Sequence, residues 1–398
     1  MSKRMIVTLP GDGIGRIVLE QALRVLDAAG FDAGYVHGDI GWEFWRKEGN
    51  PLPQRTLDLI SMHKVALFGA ITSKPNDEAR AELDPSLQDR GLVYASPIVG
   101  LRQKFNLDIC VRPCRSYQGN PLNFIRRGKG NAIEEPYVDV VIFRQNTECL
   151  YSGVEWTNPP EQVYQAFRTH KKFVENFGNV PVGELSISAR IFTRKATLRI
   201  LEAAFTFAQQ NGYKSVTVCE KPNVIRETSG LMWKLAREMQ KDAFPSIRLQ
   251  NTNIDAQMMW LTKNPEDYEV IVAGNMFGDI VSDAFAGLIG GLGFACSAQF
   301  SSDGIAVFEP THGSAPKYAG YNVPIVNPVA MIESACMMLD YLKETAIAAR
   351  IRNAVAAVIS EGKVRTYDMM KMAGSPDVTN NGAASTVRMT DEIISRLR

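Results

Sequence analysis

The chain has 398 residues, 45% of them hydrophobic and 22% charged, which is ordinary for a globular protein with room for two domains or one large α/β unit. Its 44 Lys and Arg stand against 43 Asp and Glu, a formal net charge of +1, so no global basic field points to nucleic acid and no acidic tail points to disorder. Six scattered cysteines without a C-x-x-C pair exclude a disulfide scaffold and read as reduced thiols of a cytoplasmic protein. Residues 1–9 are basic but lack the long apolar stretch and cleavage site of a signal peptide, and no segment approaches the ~18 apolar residues of a membrane span.

In chain order, residues 5–9 read as an apolar strand, 10–15 as a tight glycine-rich loop and 17–29 as a helix. Residues 65–69 are a second strand. The polar stretch 72–91 is long for a loop in a compact domain and is expected to be a lid or an insertion. Residues 97–105 read as a short helix and 107–111 as a strand, with Cys110 and Cys114 at its exit. After Pro113 a loop-rich stretch runs to Pro136 and includes a basic segment, 126–130, read as a solvated turn. Then come a strand at 138–143, a helix at 161–177, an alternating strand at 184–191 and a long helix at 195–210. Strand (215–219), helix (225–240), strand (246–250), helix (254–262) and strand (269–273) then alternate, which implies crossover units and a largely parallel sheet. The glycine run 287–293 reads as a flexible joint and the tail 328–398 as mostly helical.

Two motifs invite chemistry. Gly11-Asp-Gly-Ile-Gly15 follows a strand and opens a helix, but the third glycine comes one residue too early for the dinucleotide fingerprint. A tight strand-to-helix turn that uses glycine for backbone freedom is the better reading. Asp279 and Asp283 are four residues apart at the start of a helix, so one face would carry both carboxylates. A hard cation between them, Mg²⁺ or Mn²⁺, would relieve their repulsion. The alternative is a partner for the helix dipole beside a solvated aspartate.

Leu101-Arg-Gln103, Val111-Arg-Pro113, Tyr117-Gln-Gly119, Phe143-Arg144, Asn146-Thr-Glu148, Tyr151-Ser-Gly-Val-Glu-Trp156, Gly278-Asp-Ile-Val-Ser-Asp283 and Glu309-Pro-Thr-His-Gly-Ser-Ala-Pro316 occur in order along the chain. Together they resemble the β-decarboxylating dehydrogenases of the isocitrate and 3-isopropylmalate dehydrogenase family, from the first strand almost to the last helix. The resemblance implies an α/β fold that is not a Rossmann fold. A large cofactor-binding domain would come from both chain ends, residues 1–107 and 290–398. A smaller middle domain, 108–289, would carry a dimer clasp near 149–183. It also implies a homodimer with shared active sites, each borrowing a lysine and an aspartate from the partner, and small tricarboxylate or dicarboxylate substrates.

Residue by residue, Arg102, Arg112 and Arg144 match the family's substrate arginines, whose forks suit carboxylates. A surface ion pair would be the alternative for any one of them alone. Asp279 and Asp283 match the metal ligands of one subunit and Asp255 the ligand from the other. Lys221, in Glu220-Lys-Pro-Asn223, matches the partner-subunit lysine that takes the hydroxyl proton. Tyr151 matches the tyrosine that protonates C3 after CO₂ leaves, with a half-buried aromatic as the alternative. The implied reaction is oxidation with hydride transfer to nicotinamide, loss of the β-carboxylate and protonation of the enol.

The loop His312-Gly-Ser-Ala-Pro316 matches the one that wraps adenosine, so His312, Gly313, Ser314 and Ala315 join Thr72 and Asn327 as expected cofactor residues. NAD-dependent members carry an acidic residue after the proline, whereas Lys317-Tyr318 stands here. Tyr367 and Lys371 resemble a second pair of phosphate contacts, so NADP is expected over NAD. The stretch 321–327 is longer than usual. Ser96 matches a serine of the isocitrate γ-carboxylate pocket, but Ile98, followed by Val99, stands where an asparagine would hold that carboxylate. An unpaired carboxylate there costs about 1–3 kcal/mol. Isocitrate is the first expectation, with 3-isopropylmalate, homoisocitrate or a specialised analogue as alternatives. A non-catalytic regulatory homologue is the reading from another class, and the presence of Tyr151, Lys221 and all three aspartates argues against it.

Overall fold

The apolar and β-branched runs enter one ten-stranded sheet in a computed structural model that describes residues 3–397. Met1 and Ser2 of the basic N-terminus and Arg398 of the helical tail lie outside the described residues. From edge to edge the strands are Arg248–Asn253, Ser215–Glu220, Val270–Ala273, Asp139–Gln145, Ile109–Arg115, Cys296–Phe300, Ala306–Pro310, Val65–Ala70, Arg4–Gly11 and Ala33–His37. The middle of the chain supplies one half of the sheet and its two ends supply the other. Parallel pairing holds on both flanks, as the alternating pattern implies. The three central pairings are antiparallel: Asp139–Gln145 on Ile109–Arg115, Ile109–Arg115 on Cys296–Phe300, and Cys296–Phe300 on Ala306–Pro310.

Alternation along Asp139–Gln145 divides the core. Val140 and Ile142 face a cluster with the helices Ile14–Ala28, Asn275–Leu288, Val329–Tyr341 and Thr345–Glu361. Val141 and Phe143 face the helices Arg194–Gln210 and Thr228–Ala243. Arg144 continues the first of these faces at the end of the strand. Among the described residues no helix is long and apolar enough to cross a membrane. All six cysteines are buried and unbonded.

Four expectations need correction. The stretch 72–91 is not a continuous loop. It contains the helix Asn76–Ala81, and Ala79, Leu83 and Leu87 pack with Tyr94 on Trp42 and Trp45 of the helix Trp42–Glu48. Trp45 Nε1 donates to the Ala79 carbonyl at 2.7 Å and Trp42 Nε1 to Glu82 at 2.6 Å. The expected helix at 161–177 is two pieces, Glu161–Arg168 and Lys171–Phe177, separated where the Thr169 hydroxyl bonds the Ala166 carbonyl at 2.7 Å. The strand at 107–111 begins at Ile109 and runs through Pro113 to Arg115. Cys296–Phe300 pairs with it only as far as Val111, so Pro113 has a strand neighbour on one side alone, where a missing N–H is tolerated. The glycine run 287–293 is a packed turn, in which Gly290 has φ +123° and a Cβ would lie 2.6 Å from the Phe294 ring.

Trp45→Ala is expected to destabilise the protein by about 3–5 kcal/mol and to open residues 74–90 to trypsin. A melting temperature and digestion pattern like wild type would show that this cluster does not hold residues 74–90 in place.

Candidate active site

The register of two central strands builds the site. Cys110 lies opposite Arg144 and Arg112 opposite Ile142, so Arg112 and Arg144 are diagonal neighbours on one face. Both are buried, as is Arg102 on the helix Pro97–Lys104. The helix Asn275–Leu288 crosses beneath this face. It starts five residues earlier than the sequence suggests, on Gly274, so Asp279 and Asp283 sit in its second and third turns and not at its dipole end. Gly278 lets it approach, since a Cβ there would lie 2.8 Å from the Arg144 side chain.

Arg112 Nη1 donates to Asp279 at 3.1 Å, Ser282 Oγ at 2.7 Å and Asp283 at 3.2 Å. Arg144 pairs with Asp279 and donates from Nε to Asn275 at 2.9 Å. Tyr151, in the turn Leu150–Ser152, donates to the other Asp279 oxygen at 2.7 Å and lays its ring 5.2 Å from the Arg144 guanidinium. Arg102 donates to Gln299 at 2.9 Å and pairs with Glu309 at 3.4 Å. Two buried guanidinium nitrogens, Arg112 Nε and Arg144 Nη2, have no partner among the described residues. Such donors call for an anion.

Burial works against ionisation of Asp279, but Arg144 and Arg112 outweigh it and hold the carboxyl below its ordinary range. Asp283 moves the other way, raised by burial and by the charge of Asp279 beside it. Two oxygen donors on one helical face, one of them short of positive charge, fit a hard divalent cation. Burial and the Asp279 charge raise the Tyr151 phenol, which is therefore protonated at neutral pH.

Lys221 and Asp255 form a separate pair. Nζ lies 2.5 Å from Asp255 Oδ1, where two neighbouring parallel strands end: Lys221 follows Ser215–Glu220, and Asp255 opens the helix after Arg248–Asn253. Among the described residues no three His, Cys, Asp or Glu side chains meet to hold a metal. Within one chain, then, Asp255 is not brought to Asp279 and Asp283.

The expected cofactor residues fall into two groups. Ser314 and Thr72 hydroxyls lie 2.7 Å apart, beside the 11–15 turn, whose Ile14 N–H bonds the Ser314 carbonyl at 2.9 Å. Gly13 permits this contact, having φ +54° and no room for a Cβ against Ser314. Burial lowers the His312 imidazole, so it is neutral at pH 7, and its Nε2 has no partner among the described residues. Ala315 adopts φ +36° and starts the short helix Pro316–Ala319. There Lys317 Nζ sits 4.5 Å from the Tyr318 ring centre, and Tyr318 packs against Tyr367 at 5.7 Å. Lys371 is exposed, four residues beyond Tyr367. The Asn327 amide is already bonded, donating to Asp368 at 3.1 Å and accepting from the N–H of Val329, the first residue of the helix Val329–Tyr341, at 3.1 Å. Ser96 makes no capping bond from its hydroxyl, and Ile98 packs with Val7, Leu9, Phe68 and Leu101.

Sequence reasoning missed the partners that hold these side chains. Gln299 joins Arg102, Asn146 and Glu309, and Asn275 joins Arg144 to the Glu148 carbonyl. Asn146 and Glu309 lie inside quoted motifs, which is a signal, but Gln299 carries none.

A family model described as isocitrate/isopropylmalate dehydrogenase matches residues 5–393. The chain belongs to this family of decarboxylating hydroxy-acid dehydrogenases. Among its relatives, protein DlpA of Legionella pneumophila is 37% identical over 98% of this chain, which spans 60% of DlpA. The 3-isopropylmalate dehydrogenase of Archaeoglobus fulgidus is 35% identical, with 99% of each chain covered. The crystal structure of isocitrate dehydrogenase from Methylococcus capsulatus superposes with a TM-score of 0.81 at 32% identity, covering 99% of both chains.

Because the folded protein raises the Asp283 carboxyl, its ionised form disfavours folding above the ordinary carboxyl range, and the penalty fades as pH falls below that range. Asp283→Asn is expected to raise the melting temperature of the metal-free protein at pH 7 and to remove the rise that Mn²⁺ gives the wild type. A variant that melts lower without metal would contradict this electrostatic account.

Proposed function

We propose that this protein catalyses the oxidative decarboxylation of a 3-substituted malate with NADP as hydride acceptor, isocitrate being the first substrate. The observation that carries the reading is the buried set of Arg102, Arg112 and Arg144, two of whose donors lack a partner beside two carboxylates. A polycarboxylate would take the unpartnered guanidinium donors, and forked contacts would fix its orientation.

Asp279 and Asp283, with Asp255 of the partner subunit, would hold Mg²⁺ or Mn²⁺. Such an ion supplies Lewis-acid polarisation of the 2-hydroxyl and its neighbouring carboxylate. Lys221 would accept the hydroxyl proton as the alcohol is oxidised. Once the β-carboxylate has left as CO₂, Tyr151, a protonated phenol next to Arg144, would deliver a proton to C3. This division of labour supports a homodimer, because Lys221 and Asp255 pair with each other away from Asp279.

NADP is favoured by the Lys317, Tyr318 and Tyr367 cluster. Lys317 pairs with no carboxylate among the described residues, so its charge is available to a 2′-phosphate. One observation favours a second reading of the substrate. Ile98 lies with its side chain against an apolar cluster and offers no hydrogen bond to a γ-carboxylate, which suits a 3-substituent less polar than that of isocitrate.

Reduced-nicotinamide absorbance with NADP⁺ and Mn²⁺ tests this against isocitrate, 3-isopropylmalate, homoisocitrate and D-malate. A dominant rate with isocitrate is expected. Turnover of another member alone would move the substrate to the second reading, and no turnover of any would overturn the enzyme assignment. Lys317→Asp is expected to raise KM for NADP by about tenfold while leaving NAD nearly unchanged. An unchanged cofactor ratio would place the phosphate contact elsewhere.

A further inference from the structure

Three chain segments that carry site residues converge on one buried ion pair outside the site. Glu220 is fully buried and accepts from Arg190 Nη2 at 2.8 Å, from Ser229 Oγ at 2.5 Å and from the Gly274 N–H at 2.8 Å. Arg190, itself largely buried, donates from Nε to Cys149 Sγ at 3.3 Å and from Nη1 to Thr228 at 2.8 Å and Ser229 at 2.9 Å. Its guanidinium is flanked by Phe192 at 4.5 Å and Phe277 at 4.9 Å.

Glu220, Gly274 and Cys149 each lead directly to a site side chain. Glu220 precedes Lys221, whose own N–H bonds Ser229 Oγ at 3.3 Å. Gly274 is the N-cap of the helix that bears Asp279 and Asp283. A Cβ at Gly274 would lie 2.5 Å from Phe192 and 2.7 Å from Glu220, so this approach needs glycine. Cys149, held at φ +70°, opens the turn that carries Tyr151. A buried ion pair is a poor stabiliser compared with apolar packing, because desolvation offsets most of its attraction. What this pair does provide is direction: its donors and acceptors join the segments at residues 149, 190, 220, 228–229 and 274 at hydrogen-bond distances.

Resting on the proposed function, we propose that Arg190 and Glu220 are positioning residues that hold Lys221, the Asp279–Asp283 helix and the Tyr151 turn in one geometry. In a dimer with shared sites, the same pair ties the residues a chain uses itself to the lysine it lends to its partner. Neither residue is among those proposed to hold substrate, metal or cofactor, so the expected effect is on turnover and not on cofactor binding.

The test compares kcat, KM for substrate and for NADP, and melting temperature in wild type, Glu220→Gln and Arg190→Lys. Ser229→Ala serves as a milder variant that keeps the ion pair and so folds if the other two do not. The substrate is whichever member of the panel wild type turns over. Displacement of the lysine or the metal helix by a fraction of an ångström to 1 Å is expected to lower kcat by about 10- to 100-fold, with KM for NADP within about twofold and the protein still folded. Ser229→Ala is expected to give a smaller loss of the same kind. Unchanged kcat in all three variants overturns the proposal. So does a loss of kcat that appears only with a raised KM for NADP and a collapsed melting temperature, because that marks a general structural role. A wild type inert toward every substrate overturns the functional reading itself and is thereby distinguishable.

Discussion

A guanidinium taken out of water must meet negative charge, and this chain buries Arg102, Arg112 and Arg144 near one another. Asp279 answers two of them and Glu309 the third. Much of the surrounding structure follows from that requirement. The antiparallel register sets Arg112 and Arg144 diagonally on one face, and glycine at 278 lets the carboxylate-bearing helix come within reach. Two guanidinium nitrogens remain unpartnered even so. The free chain therefore has its arginines partly held by the carboxylates proposed to hold a cation, with a residual demand for an anion. In this account, metal and polycarboxylate divide one internal ion-pair network between them. Each should ease the other's entry by separating the arginines from the aspartates.

The sheet explains why these side chains gather where they do. Parallel strands flank a short antiparallel centre, and the strands from the middle of the chain meet those from its ends at Ile109–Arg115 and Cys296–Phe300. Side chains from both parts reach the same place there, as when Gln299 bridges Arg102 and Asn146. Lys221 and Asp255 end two outer strands beyond this point, and the Arg190–Glu220 pair connects that edge back to the centre.

Much of this was legible in the sequence wherever one local pattern sufficed. The helix Arg194–Gln210 and the strand Ser215–Glu220 lie within a residue of their periodic patterns. The Gly11–Gly15 turn is correctly read as a backbone device, since Gly11 at φ +67° has no room for a Cβ against the Ala70 carbonyl. What failed depended on distant partners. Ala79, Leu83 and Leu87 look like scattered apolar residues in a polar stretch until Trp42 and Trp45 cover them. The diagonal of Arg112 and Arg144 needs a register that neither strand encodes alone. Lys221 and Asp255, 34 residues apart, are linked in sequence only through the family resemblance, and Gln299 has no signal of its own.

The most direct test of the account is thermal unfolding of wild type with Mn²⁺ alone, with the turned-over substrate alone, and with both. A divided ion-pair network predicts that the two together raise the melting temperature by more than the sum of their separate effects. Strictly additive shifts, or no shift with Mn²⁺ at all, would contradict it.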